Sequence, residues 1–217
     1  MQIAIGLFPG LTILDVIGPY QVLAFLPDAE IVFCAEEAGE ISDDNGLVNL
    51  RVDRTFDDVT RPDVLLVGGG FATRALARPD SAIAQWIRDA HPHTAWTTSV
   101  CTGSLLLGAA GVLDGLRATT HWRAKDVLAG LGATPVDDRV VIDGKVITGA
   151  GVSAGIDMAL TLAAQIAGPE VAQAIQLGIE YDPQPPFDSG ASWKAAPEIV
   201  EIVTAIYAAN DKAVVDS

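Results

Sequence analysis

Short apolar runs and longer amphipathic stretches alternate along this chain of 217 residues. The apolar runs have the length of buried strands, and we predict strands at residues 2–7, 30–35, 63–67 and 93–100. Helices are predicted at residues 81–90, 102–110, 153–167, 169–178 and 197–209. Strands alternating with helices predict an α/β fold with a mainly parallel sheet covered on both faces, in one domain over residues 1–217.

Turn-forming residues add hairpins, a helix start and an irregular segment to this pattern. Asp143-Gly144 between the apolar runs 140–142 and 145–148 is a strong hairpin signal. Residues 47–52 alternate like an edge strand or a hairpin arm. Ile17-Gly18-Pro19 predicts a second helix start, because proline suits the first turn of a helix. The proline-rich residues 181–190 are predicted to form an irregular loop.

The charge balance limits the possible partners and the compartment. The net charge is −15 and no cluster of Lys and Arg occurs, so we expect neither nucleic acid nor an anionic membrane as a partner. The apolar residues 1–20 contain Asp15 and precede the first cation, Arg51, which argues against a signal peptide or a transmembrane span. Two cysteines without an export signal predict free thiols in a reducing cytoplasm.

Cys101 is the strongest candidate for chemistry. It stands where the predicted strand 93–100 meets the predicted helix 102–110, and a sharp strand-to-helix turn exposes its corner residue. The partial positive charge and free N–H groups of a helix N-terminus favour a thiolate, so we predict a nucleophile. Cys34 lies within an apolar strand and is interpreted as a core residue.

Two further segments follow predicted strands and should meet Cys101 at the carboxyl edge of the sheet: Asp15 and residues 68–70. A carboxylate among apolar neighbours is costly to bury unless it is bonded, neutralised or used. Asp15 is either a turn or cap acceptor, or a carboxyl beside the sulfur. In the second case we expect a protonated Asp15 that donates to a Cys101 thiolate.

The backbone N–H groups of Thr102 and Gly70 would suit an oxyanion hole, with Gly69 beside them, and the Thr102 hydroxyl would bind substrate or water. The glycine run has neither a P-loop nor a dinucleotide fingerprint. A substrate pocket would be apolar, and we expect it to be lined by Phe71, Trp122, Ile156 and the loop near Tyr181.

His121 has two interpretations. It is either a partner of Cys101 that binds substrate or activates the thiol, or a structural histidine at a helix start. His91-Pro92-His93 is interpreted as a surface turn, so no metal is implied. The acidic pair Asp43-Asp44 is interpreted as a solvated turn.

Four segments of this chain resemble the ThiJ/PfpI superfamily, and the likeness runs across nearly the whole chain. They are LDVIGP at residues 14–19, GGG at 68–70, TSVCTGS at 98–104 and ATTHW at 118–122. The resemblance implies a flavodoxin-like three-layer sandwich with a cysteine nucleophile elbow. Within the superfamily, Asp15 in place of the usual Glu, Thr102 after the cysteine, and EYDPQPPF at 180–187 are similar to the isocyanide hydratase branch.

The resemblance implies that Cys101 is the nucleophile, Asp15 the acid/base and Thr102 a helper, in a homodimer without a cofactor. The expected activity is hydration of a small-molecule isocyanide to an N-substituted formamide through a thioimidate on Cys101. Two alternatives stay open: a glyoxalase-like or other cysteine hydrolase or lyase, which would draw more on His121, and a non-catalytic oxidation sensor. The related sensor domains of AraC-type regulators are disfavoured by the acidic charge and by the lack of a helix-turn-helix segment.

Overall fold

A seven-stranded sheet forms the centre of the molecule, in the strand order β10-β11-β7-β6-β1-β2-β5. The computed structural model describes the backbone of residues 1–215 and the side chains of residues 1–209. The strands are β1 Gln2–Gly6, β2 Glu30–Ala35, β3 Gly39–Ser42, β4 Asn49–Val52, β5 Arg54–Thr55, β6 Val64–Val67, β7 Trp96–Val100, β8 Arg117–Ala118, β9 Thr134–Pro135, β10 Val140–Asp143 and β11 Val146–Gly149. In the main sheet only β10 runs antiparallel to its neighbour, which confirms a mainly parallel sheet.

Two groups of helices cover this sheet. The helices are α1 Ile13–Leu23, α2 Thr73–Leu76, α3 Ala82–Ala90, α4 Gly103–Ala109, α5 Lys125–Gly130, α6 Ala154–Ala167, α7 Pro169–Gly178 and α8 Pro197–Val215. Helix α6 packs against α1 and α7, and α4 packs against α2, α3 and α5. The central strands β1 and β6 are almost wholly buried between these groups, as continuous apolar runs in parallel sheets require.

The predicted hairpins are confirmed. Strands β10 and β11 pair across Gly144, whose φ of 58° lies in the left-handed region that glycine tolerates. Strand β4 pairs with β3 in a separate two-stranded sheet, so residues 47–52 contain a hairpin arm.

Several element boundaries differ from the predictions, such as the end of α8 at Val215 instead of residue 209, and two of the differences have a clear cause. Helix α1 begins at Ile13, and Pro19 lies inside it rather than in its first turn. The missing N–H of Pro19 costs this helix one internal bond, but α1 is held by packing on α6, where Gly18 faces Ile156. Strand β7 begins at Trp96 rather than residue 93, because residues 91–93 form a 3-10 turn around Pro92.

The chain divides into two compact units, Met1–Ile179 and Glu180–Ser217. The first unit contains the sheets and helices α1 to α7. In the second unit, residues 181–190 are irregular as predicted, and α8 follows. That residues 1–217 form one domain stays a prediction. Among the described residues, no helix is both long and apolar enough to span a bilayer.

Candidate active site

Cys101 occupies a strained corner between β7 and α4. Its φ is 57°, in the left-handed region that residues other than glycine rarely adopt. Its N–H lies 3.1 Å from the carbonyl oxygen of Gly149 and 2.9 Å from that of Ala150. Its carbonyl oxygen accepts hydrogen bonds from the hydroxyls of Ser104 and Thr120, both at 3.1 Å. Bonds on both sides of the residue therefore hold the corner in place, but the prediction that the turn exposes its corner residue is wrong, because Cys101 is buried.

Asp15 lies in the first turn of α1 and is fully buried. Its Oδ2 accepts a hydrogen bond of 2.7 Å from the N–H of Gly69, and no described residue bonds to its Oδ1. Burial raises the pKa of Asp15 from 3.8 to about 7, against the lowering effects of the Gly69 N–H and the Cys101 side chain. Near neutral pH the carboxyl can therefore give or accept a proton.

The pKa of Cys101 moves in the opposite direction to the thiolate expectation. Burial raises it, and the negative charge of Asp15 raises it further. The N–H groups of Val152 and Thr102 and the Thr102 side chain lower it, but burial outweighs them. The stabilising N–H groups are thus present, although they do not dominate. Because the charge of Asp15 disfavours a thiolate, the two side chains titrate as a coupled pair that releases one proton near pH 7 and keeps the other well above it.

The N–H groups of the glycine loop bond to Asp15 and to Thr102. The N–H of Gly69 is bonded to Asp15, and the N–H of Gly70 donates to Thr102 Oγ1 at 3.1 Å. Both of these N–H groups therefore already have acceptors in this structure, and the oxyanion role of Gly70, with Gly69 beside it, stays a prediction. The N–H of Thr102 instead acts on the Cys101 sulfur.

Close packing explains why this loop consists of glycine. A Cβ on Gly69 would lie 2.5 Å from Thr102 Oγ1 and 2.9 Å from Asp15 Oδ2. A Cβ on Gly68 would lie 2.9 Å from the Cβ of Asp15. The bare backbone thus fits between the acid and the residue after the nucleophile.

Sequence reasoning missed Thr73 and Val152. The Thr73 hydroxyl lies 2.8 Å from Thr102 Oγ1 and 2.6 Å from the carbonyl oxygen of Gly70. It therefore orients the hydroxyl of Thr102. The position of Thr73 three residues after Gly70 was the sequence signal that could have indicated its place near the site. Val152 has a φ of 27° and directs its N–H at Cys101, which no sequence pattern announces.

His121 lies at a helix start, as its structural interpretation expects, and its part in substrate binding or thiol activation stays a prediction. It precedes the 3-10 turn Trp122–Ala124, and its Nδ1 accepts from the N–H of Arg123 at 3.4 Å. Burial lowers its pKa to about 4, and the charges of Arg123 and Arg74 act in the same direction. The ring is therefore neutral at neutral pH. It packs beside Gly151, whose added Cβ would lie 3.0 Å from the ring.

The predicted pocket lining is only partly placed. Phe71 and Trp122 are half-buried in the segments that follow the glycine loop and His121. Ile156 packs against Gly18 between α6 and α1. Tyr181 belongs to the second unit, so its role in the pocket stays a prediction.

The remaining polar candidates divide into one confirmed turn and one correction. His91–His93 is a 3-10 turn, and His91 Nδ1 bonds to Thr97 Oγ1 at 2.8 Å. Within the described part of the chain, no three His, Cys, Asp or Glu side chains form a metal cluster. Asp43 is not solvated: it is 6% exposed because its carboxylate accepts the N–H groups of Leu47 and Val48.

Comparison with known proteins identifies the architecture around this pair. The model of the DJ-1/PfpI family matches residues 1–165. The chain belongs to the DJ-1/PfpI family. A ThiJ/PfpI family protein from Pseudomonas syringae superposes with a TM-score of 0.89 at 37% identity, covering 97% of this chain and 89% of that one. This likeness confirms the flavodoxin-like fold.

Individual DJ-1/PfpI relatives differ in function. The isonitrile hydratase of Pseudomonas putida is 46% identical over 201 residues, 93% of this chain and 87% of that protein. The HTH-type transcriptional regulator CdhR of Pseudomonas aeruginosa is 35% identical over 140 residues, which cover 63% of this chain but only 40% of the regulator. Drosophila melanogaster DJ-1beta shares the fold with a TM-score of 0.75 at 22% identity.

Proposed function

We propose that this protein is an isocyanide hydratase, a hydro-lyase that converts an isocyanide and water to an N-substituted formamide. The observation that carries the proposal is the buried Asp15 beside Cys101, which forms a pair able to hold and release one proton near neutral pH. Similarity to an isonitrile hydratase over 93% of the chain supports the substrate class, since isonitrile and isocyanide are the same group.

In the first step the Cys101 sulfur attacks the terminal carbon of the isocyanide, and a C–S bond forms. The single proton of the pair moves to that carbon, so no carbanion accumulates and Asp15 is left as a carboxylate. The product is a thioimidate on Cys101. A buried, neutral carboxyl is suited to this step because it already lies out of water and can deliver its proton directly to the substrate carbon.

In the second step the Asp15 carboxylate takes a proton from water as the water oxygen bonds to the thioimidate carbon. The proton taken from water passes to the imine nitrogen. The C–S bond then breaks, the sulfur leaves with its electron pair, and the hydroxyl proton of the adduct returns to the pair. The products are the N-substituted formamide and the starting enzyme, so water supplies all the added atoms.

Thr102 assists both steps by facing the sulfur. Its N–H and side chain stabilise negative charge on Cys101, and Thr73 and the Gly70 N–H fix its hydroxyl. The proposal includes a homodimer in the cytoplasm without a cofactor, which follows the resemblance and the two free thiols.

The two alternative functions are less well supported. A glyoxalase-like reaction would draw on His121, whose pKa is lowered to about 4 and whose Nδ1 is bonded to a backbone N–H. An oxidation sensor needs a standing thiolate, whereas burial and the charge of Asp15 raise the pKa of Cys101.

A turnover assay with p-nitrophenyl isocyanide, followed by formamide formation, tests the proposal. We expect steady turnover by the wild type, none by Cys101→Ala, and near-normal turnover by the matched control Cys34→Ala. Methylglyoxal is assayed in parallel. Consumption of methylglyoxal without formamide formation, or equal rates for wild type and Cys101→Ala, would overturn the hydratase assignment.

A further inference from the structure

Thr12 and Asp15 form an incomplete capping box at the start of α1. Thr12 is the N-cap residue and Asp15 stands three positions later, a spacing at which the two side chains normally bond to each other's backbone N–H groups. Neither bond forms. The Thr12 hydroxyl makes no cap bond, and Asp15 Oδ2 accepts from Gly69 instead of Thr12. The capping box that the local sequence favours is therefore not formed at Asp15, whose carboxyl bonds to Gly69 instead.

Two contacts from distant parts of the chain replace the box. The Thr12 hydroxyl donates to Asp44 Oδ2 at 2.7 Å, and the Thr12 N–H donates to the carbonyl oxygen of Gly69 at 2.8 Å. Gly69 thus bonds to the N-cap residue through its carbonyl and to Asp15 through its N–H. This arrangement leaves the Asp15 carboxyl turned away from the cap of its own helix.

Backbone bonds fix Asp44 against this helix start. Its N–H donates to the carbonyl oxygen of Leu11, and the N–H of Gly10 donates to that of Ser42, both at 2.9 Å. Leu11 also forms isolated bridges to Asp43 on one side and to Gly70 on the other. The segment before α1 is therefore held between the β3–β4 hairpin and the glycine loop, and Asp43 stabilises the hairpin turn itself.

We propose that Asp44 is a positioning residue for the Asp15–Cys101 pair, acting by drawing the Thr12 hydroxyl out of the capping box and by placing a second negative charge near the buried acid. The inference rests on the proposed function only for the turnover readout. Asp44 touches neither the sulfur nor the reacting atoms.

The charge effect has a defined direction. Two side chains perturb Asp15: Cys101, at the elbow, lowers its pKa through a hydrogen bond, and the charge of Asp44, on the hairpin, raises it. The glycine loop contributes only the neutral N–H of Gly69. Helix α6, which packs on α1, has a single acid, Asp157, and that acid is paired with Arg139. Loss of the Asp44 charge should therefore lower the pKa of Asp15.

Four variants separate the effect of the Asp44 charge from the effect of the hydrogen bond between Thr12 and Asp44. Asp44→Asn keeps an acceptor for Thr12 but removes the charge, and Asp44→Ala removes both. Thr12→Val removes the hydroxyl of residue 12 and leaves the Asp44 charge in place. Thr12→Ser keeps a hydroxyl at this position. Asp126→Asn, an exposed acid on α5 that does not perturb Asp15, is the matched charge-loss control.

The main readout is the pH dependence of Cys101 alkylation by iodoacetamide, with the adduct located by mass spectrometry. We expect Asp44→Asn to shift the lower titration midpoint down by roughly half a pH unit at low salt, and less at high salt. Thr12→Val and Asp44→Ala should lower isocyanide turnover on the order of tenfold through misplacement of Asp15, and Thr12→Ser should restore it.

The outcomes separate this inference from the hydratase assignment. Wild-type protein that fails to hydrate isocyanide but shows the alkylation shifts would overturn only the hydratase assignment. Unchanged alkylation profiles in Asp44→Asn and Asp44→Ala would overturn the inference, as would shifts equal to those of Asp126→Asn. A loss of turnover in Thr12→Val that Thr12→Ser shares, with a matching fall in Tm, would assign Thr12 a purely structural role and also overturn it.

Discussion

The two cysteines of this protein occupy similar depths but different surroundings. Both are free and buried, and burial raises the pKa of Cys34 to about 12 and that of Cys101 further. Cys34 lies in the regular strand β2, and its thiol faces the carbonyl oxygen of Ile5 at 3.8 Å. Cys101 has a φ of 57°, and an acid and backbone N–H groups surround its sulfur.

Neither depth nor a low thiol pKa distinguishes Cys101, the proposed nucleophile, from Cys34. Only one of the two has a neighbouring group that exchanges its proton near neutral pH, Asp15. Cys34 faces a carbonyl oxygen, which can accept a hydrogen bond but cannot supply a proton. In the proposed mechanism, the neighbouring acid therefore distinguishes Cys101 from Cys34.

The largest expected difference between the two sites is their rate of alkylation. In native protein at pH 8 we expect iodoacetamide to modify Cys101 on the order of 10⁴-fold faster than Cys34, because Cys34 reacts only after the strand opens. Peptide mapping of a time course measures both rates in one sample. Comparable rates under native conditions would remove the distinction drawn here.

Stability should depend on pH through Asp15. The folded protein keeps a proton, with a pKa of about 7, that the unfolded chain releases near 3.8. Its contribution to stability is complete below pH 3.8 and is lost as the pH rises to about 7, by roughly 4 kcal/mol. Asp15→Asn lacks this group, so its free energy of unfolding should rise relative to wild type across that window.

Urea unfolding of both proteins between about pH 4.5 and 8 measures this difference. His121, with a pKa lowered to about 4, destabilises both proteins as the pH falls through 6.5, so its effect cancels in the comparison. A pH-independent difference between wild type and Asp15→Asn would mean that Asp15 titrates normally in the folded state.

Replacing Asp15 should also separate proton transfer from nucleophilicity. Asp15→Asn keeps the shape of the side chain and removes its proton, so isocyanide hydration should fall on the order of 10²-fold. The pKa of Cys101 should fall as well, because the charge of Asp15 raises it in the wild type. Parallel assays of formamide formation and Cys101 alkylation measure the two effects. An unimpaired hydration rate would remove Asp15 from the mechanism.

The smallest expected effect concerns the carbonyl of the elbow. Thr120→Val removes one of the two hydroxyls that bond to the Cys101 carbonyl oxygen, and we expect it to cost about 1 kcal/mol of stability. Ser104 keeps that carbonyl partly satisfied, so turnover should change by less than about threefold. Thermal unfolding and the formamide assay measure both. Complete loss of turnover in folded Thr120→Val would mean that the hydrogen bond from Ser104 alone does not hold the Cys101 backbone in its active position.

The sequence predicts the parts of this site that follow directly from strand ends. Asp15, residues 68–70 and Cys101 were expected at one edge of the sheet, and the structure brings them together. The order of short apolar runs was enough for that prediction, because parallel strands place their following loops on the same side.

The remaining features depend on contacts between distant segments. The N–H of Gly70 looked available as an oxyanion donor because its bond to Thr102 spans 32 positions. The bond between Thr12 and Asp44 spans the same separation, so the acidic pair on the hairpin was interpreted as solvated. The interior position of Pro19 was missed because a rule about helix starts ignores packing on α6.

Residues 68–70, which pack beside Asp15 and Thr102, leave no space for a side chain larger than that of glycine. A library aimed at bulkier or more polar substrates would gain nothing from randomising these positions. A side chain at Gly68 or Gly69 would press on Asp15 or Thr102, and one at Gly70 would meet the backbone of residues 10–12. Changes in substrate range would have to come from residues outside this segment, with the three glycines left unchanged.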